Sequence, residues 1–168
     1  MKKPLLAVLM VGAATLVITG CGKKEETKKL DVKGPRVVCT SEEKTDGIKV
    51  TDKVILKFDK DNYVKYQGRE TTAKFDDKDV YKEYIKETES NKDNYTAEGV
   101  EYTLSKNDKE NEYTTTLVYT EKLIADLLKD ASSEDKKAYY ASTILKEYEN
   151  AGMECEYIEV SKADLGIK

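Results

Sequence analysis

Histidine is absent from this 168-residue chain. Its absence removes Ser-His-Asp and Cys-His nucleophile systems, the His-containing zinc sites, and histidine-based pH switching. A carboxylate pair remains the enzymatic chemistry still open. Tryptophan is also missing and there are only two Phe, so aromatic packing falls largely to twelve Tyr. Tyrosine suits half-buried strands and helix faces, where the ring is covered and the hydroxyl stays wet. No Gly-rich phosphate loop is present. Positive charge is the scarcer sign, with 29 Lys+Arg against 33 Asp+Glu and a net charge of −4. That balance argues against nucleic acid as a partner, since such affinity rests on cationic neutralisation of phosphates. The charges are interspersed, as on an ordinary solvated surface.

Long apolar runs are equally scarce. The longest is Leu5 to Ile18, behind Lys2 and Lys3. It is shorter than the roughly 20 residues of a membrane-spanning helix and matches the roughly 7–15 residues of an export-signal core. Thr19 and Gly20 follow, both small, and then Cys21. Ile18-Thr19-Gly20-Cys21 resembles the bacterial lipobox: an aliphatic residue, two small ones and an obligatory cysteine. That resemblance implies cleavage between Gly20 and Cys21, a diacylglycerol on the Cys21 thiol, and in many bacteria a fatty acid such as palmitate on its new amino group. A retained membrane anchor and a buried helix with an incidental cysteine are the competing readings. The run is short for the first, and Gly12 with the Thr15–Gly20 tail makes a poor core helix for the second. Two or more acyl chains hold a protein stably at a bilayer, whereas one binds only marginally.

Residues 1–20 are thus expected to be a lipoprotein signal peptide, 21–34 a lipidated flexible tether, and 35–168 a single domain. Removing the signal takes Lys+Arg from 29 to 27 against 33 Asp+Glu, a net charge of −6. About 148 residues remain, enough for one domain with a real core.

Within that domain, Arg36–Thr40 reads as a short strand. Lys49–Phe58 places Val50, Val54, Leu56 and Phe58 on one parity, with Asp52 interrupting them. Asp59-Lys60-Asp61-Asn62 supplies turn chemistry, and Tyr63–Phe75 returns as the second strand of a hairpin. Asp76 is the expected cap of an amphipathic helix ending near Thr88 or Glu89. Gly99–Leu104 and Tyr113–Tyr119 alternate cleanly and form a second hairpin across the polar connector 105–111. A short helix is expected over Leu123–Leu128. Ser132 or Ser133 then opens one long helix with Ala138, Ala141, Ile144 or Leu145, and Tyr148 inward, stopping at Asn150-Ala151-Gly152. Met153–Val160 is a final strand, and the tail after Ser161 is expected to be loose. The order predicts an α+β fold: an antiparallel sheet of about six strands with helices on one face.

With Cys21 taken by lipid, Cys39 and Cys155 are the two remaining cysteines. Each lies in a strand on the parity of apolar neighbours, and disulfides persist outside the cytoplasm. A bridge would close a loop of about 116 residues, and the chain-entropy treatment gives roughly 4.7 kcal/mol for about 100. Two buried free thiols are the alternative. Asp59–Tyr63 faintly suggests a calcium loop, but Val64 stands where the loop needs glycine, so a plain hairpin turn is favoured. Acidic pairs such as Glu42/Glu43 and Asp76/Asp77 read as solvated surface. No catalytic residue, cofactor site or metal site stands out.

The mature region resembles the YehR-like family of small bacterial lipoproteins, whose function is uncharacterised. The likeness lies in the order of its pieces: the lipobox followed by GKKEETKK, the strand YVKYQGRETTAKF leading into a helix, GVEYTLSKND before a threonine-rich strand, and a helix opening SSEDKKA and closing at an Ala-Gly. The resemblance implies a membrane-tethered α+β domain and supplies no catalytic residues. The functional expectation is a lipid-anchored, extracytoplasmic, non-catalytic binding or accessory module of the cell envelope. It would be held to the membrane through Cys21, with a protein, wall component or small molecule as ligand. The alternative is a histidine-independent hydrolase using a carboxylate pair.

Overall fold

The computed structural model describes residues 30, 32–91, 95 and 97–167. Six strands form one antiparallel sheet: β1 (Arg36–Thr45), β2 (Ile48–Phe58), β3 (Val64–Phe75), β4 (Val100–Asn107), β5 (Glu112–Tyr119) and β6 (Glu154–Ile158), in the order β4-β5-β3-β2-β1-β6. Four helices accompany it: α1 (Lys78–Ser90), α2 (Glu121–Asp130), α3 (Ser133–Ala138) and α4 (Ala141–Asn150). The fold is α+β, as the residue pattern predicts. Among the described residues, no helix is long and apolar enough to cross a membrane. The expected signal peptide and Cys21 lie outside the described residues.

Alternation sets the two faces. Val37 and Cys39 of β1, Val54 and Leu56 of β2, and Ala73 and Phe75 of β3 point to one side, where the buried residues of the helices meet them. β1 runs to Thr45, five residues past the expected strand, because Asp46 and Gly47 turn it tightly into β2. Both have positive φ, 50° and 78°, and Thr45 pairs with Ile48 across them. A two-residue Asp-Gly loop of this hand matches the twist of the strands it joins.

Three local expectations are corrected. Asp77 caps α1 rather than Asp76, its carboxylate accepting from the Asp79 and Val80 amides at 2.7 and 3.0 Å. The expected single long helix is two helices, α3 and α4. Tyr140 is extended between them and bridges to Tyr63, with Val64 N donating to Tyr139 O and Ala141 N to Asn62 O, both at 2.9 Å. Those long-range bonds replace the helical ones at the break, and they leave Ala138 exposed while Ala141, Ile144, Leu145 and Tyr148 stay buried. The tail after Ser161 is docked, not loose. Asp164 accepts from the Ser161 amide at 2.8 Å, and Leu165 is buried in the core.

Candidate functional site

Two apolar clusters share the helix-covered face. One holds Val37, Val54, Leu56, Val64, Leu145 and their neighbours. The other holds Ala73, Phe75, Tyr81, Leu104 and Tyr113 under α1. Between them β2 and β3 bring a charged pair into register. Asp52 lies opposite Thr71, and Arg69 is one pleat along, opposite Val54. Asp52 is 7 % exposed. Its Oδ1 accepts from Arg69 Nε at 3.0 Å and from Thr71 Oγ1 at 2.9 Å, while its Oδ2 accepts from Arg69 Nη2. Such a two-pronged pair holds both planar groups rigidly. Burial pulls the Arg69 guanidinium pKa down, but the hydrogen bond and charge of Asp52 outweigh it and hold the group more firmly protonated. The guanidinium has five N–H donors, Asp52 takes two of them, and the Arg69 side chain keeps 22 % exposure.

Tyrosines border this pair. Gln67 Nε2 donates to Tyr148 OH at 3.1 Å, and burial pushes the Tyr148 phenol up to about 12. Tyr119 lies opposite Gln67, and its phenol is raised first by burial and next by Tyr139. Tyr95 stacks on Tyr102 with ring centroids 5.1 Å apart, and Tyr95 is 37 % exposed. Burial takes the Tyr102 phenol up to about 12, and its hydroxyl has no hydrogen-bond partner. The arrangement can offer a fixed cation together with amphipathic rings.

Cys39 and Cys155 face each other directly across β1 and β6 and form a disulfide. Their Cα atoms are 4.0 Å apart, below the 4.4–6.8 Å usual for disulfides. Residues opposite each other in the narrow pairs of an antiparallel ladder approach to about 4.5 Å. Gly20 and Cys21, the expected cleavage and lipidation site, lie outside the described residues. Asp59 is a turn residue, its Oδ1 accepting from the Asp61 and Tyr63 amides, both at 2.9 Å. Of the acidic pairs, Glu42 meets Lys49 and Asp76 meets Lys44 at the surface. Among the described residues, no group of three or more potential metal ligands is found.

The Asp52–Arg69 pair was not foreseen from the sequence. Its signal was there: an acid in phase with Val50, Val54 and Leu56, with an arginine and a threonine on the matching parity of the returning strand. A depression of about 200 Å³, lined by residues including Arg36, Phe58, Lys60, Val160 and Leu165, lies at another part of the domain. It falls below the roughly 300–1,000 Å³ of small-molecule pockets. The fold and site thus define an α+β sheet-and-helix domain with a tyrosine-bordered arginine–carboxylate pair. No family model, curated protein or solved structure matches the chain.

Proposed function

We propose that the chain is a lipoprotein of the cell envelope, anchored through Cys21, whose domain is a non-catalytic binding or accessory module. The observation that carries the binding reading is the partly exposed Arg69, locked by Asp52 and bordered by Tyr119 and Tyr148, with the exposed Tyr95 near Tyr119. Arginine and tyrosine are the side chains most enriched where proteins grip partners. A guanidinium already oriented by Asp52 loses little freedom on binding. The Leu16–Lys24 stretch supports the anchor, and the disulfide suits an oxidising compartment. The YehR-like resemblance belongs to the same reading.

The hydrolase alternative is less well supported. A retaining glycosidase needs two carboxyl groups about 5–5.5 Å apart. Among the described residues, Asp52 is the one buried carboxylate, and Arg69 occupies it.

Photo-cross-linking in cells tests the binding reading. A benzophenone amino acid replacing Tyr95 is expected to give a discrete adduct that Arg69→Met abolishes, with none from the same group at Lys53. Equal adducts at both positions, or an adduct indifferent to Arg69, would sink the assignment. The anchor is tested separately with Cys21→Ala, which is expected to lose fatty-acid label and membrane retention. Unchanged label and retention would reject it.

A further inference from the structure

We infer that the outer face of the sheet, opposite the helices, carries a docking site for the chain's own amino-terminal segment. Leu30 is the plug and Gly68 the socket. Register places one row of residues straight across that face: Glu156, Val38, Ile55, Gly68, Val118 and Glu101. Its four central members are apolar or glycine. The adjoining row, Thr40, Lys53, Glu70, Thr116 and Thr103, is polar. Ile55 is only 2 % exposed, although the buried side chains of the helices gather on the opposite face.

Gly68 explains what covers it. Glycine in the middle of a twelve-residue strand weakens that strand and marks a close approach by something else. A Cβ built on Gly68 would come within 2.8 Å of Leu30 Cδ2, 3.3 Å of Leu30 Cδ1 and 2.8 Å of Tyr66 OH. The missing side chain is therefore the space that Leu30 and Tyr66 occupy. Leu30 precedes the first strand by only six positions, so the chain turns back from β1 across β2 to reach β3.

The consequence for function rests on lipidation at Cys21. Eight residues, 22–29, lie between the anchor and Leu30, and the nine steps from Cys21 to Leu30 span at most roughly 32 Å. Because the chain leaves the domain from the outer face, that face is drawn toward the bilayer. The Arg69 band on the opposite face then points away from the membrane, toward a partner.

Trypsin cleavage after the exposed Lys33 in the full-length, detergent-solubilised protein tests the strap. Cleavage of this kind tracks the population of the open form. Leu30→Asp, which removes the plug, and Gly68→Val, which fills the socket, are each expected to speed the Lys33 cut about tenfold, as loss of a half-buried leucine contact implies. Leu30→Asp leaves the sheet sequence intact, so it carries the test if Gly68→Val disturbs folding, and the thermal transition of each variant reports that directly. A Lys33 cut at the wild-type rate in a folded Leu30→Asp protein would overturn the inference. The measurement does not depend on lipid, so failure of the Cys21→Ala test would leave its outcome unchanged.

Discussion

At one end of the helix-covered face, Val37, Val54, Leu56 and Leu145 are almost completely buried, and the Cys39–Cys155 bond fastens the first strand to the last. At the other end, Phe75 packs among Tyr81, Tyr84 and Tyr113, with ring centroids 5.2–5.9 Å apart. The coverings differ too. α4 buries Ala141, Ile144, Leu145 and Tyr148, whereas α1 buries Tyr81 alone. Aliphatic side chains with no polar atoms make a uniform core. Tyrosines bring a hydroxyl that must be satisfied or kept near water. One end is thus filled by aliphatic side chains and a disulfide and the other by aromatic rings, with the Asp52–Arg69 pair at their boundary.

The largest expected effect comes from the aliphatic end. Leu56→Asp forces a charge into a fully buried site, at a cost of several kcal/mol, and should leave no cooperative thermal transition. A folded Leu56→Asp protein would break the assignment of that face as core.

Next comes the boundary. Arg69→Met leaves Asp52 buried without its partner and should cost about 3 kcal/mol in denaturant unfolding. Replacing both residues, Asp52→Leu with Arg69→Met, should recover most of that loss, because an apolar pair avoids the desolvation of two charges. The double variant should still fail to cross-link through position 95. Recovery of stability without recovery of the adduct would identify the pair as retained for binding. Recovery of both would make it a packing detail.

Removing the disulfide with Cys39→Ala and Cys155→Ala together should cost about 2–5 kcal/mol. Its signature is regional, with the β1–β6 edge loosening while the rings around Phe75 keep their near-ultraviolet signal.

Alkaline titration probes both ends at once. Tyr148 lies at the aliphatic end and Tyr102 at the aromatic one, and burial raises each phenol to about 12. An unfolded tyrosine titrates near 10. The folded state therefore holds these protons more tightly. Their contribution to stability is complete below about pH 10 and is lost as pH rises from about 10 to 12. Tyr148→Phe should flatten part of that decline. The smallest effect is reserved for Lys57→Asp, one residue beyond Leu56 and on the outer face, which should shift stability by no more than about 0.5 kcal/mol.

Local chemistry made much of this legible in the sequence. Alternation placed Val54 and Leu56 inward, Asp59–Asn62 formed the turn, and two lone cysteines in the first and last strands pointed to their pairing. Asp46-Gly47 is equally local turn chemistry, and it sets where β1 ends. The remaining departures come from distant partners. Tyr63 breaks the helix at Tyr140 from 77 positions away, and Leu165 is held by a core that its own neighbours do not suggest. Asp52 looked like an interruption because its arginine lies on another strand, and only pairing register brings the two together.

Native-state hydrogen exchange on the oxidised protein tests the central claim, that the end fastened by the disulfide is a rigid scaffold and the end under α1 opens more readily. Amides of Val37, Val54 and Leu56 should exchange only through global unfolding. Those of α1 and β4 should exchange through a partial opening of lower free energy, as sparsely buried elements do. Equal opening free energies for α1 and for Leu56 would contradict the division.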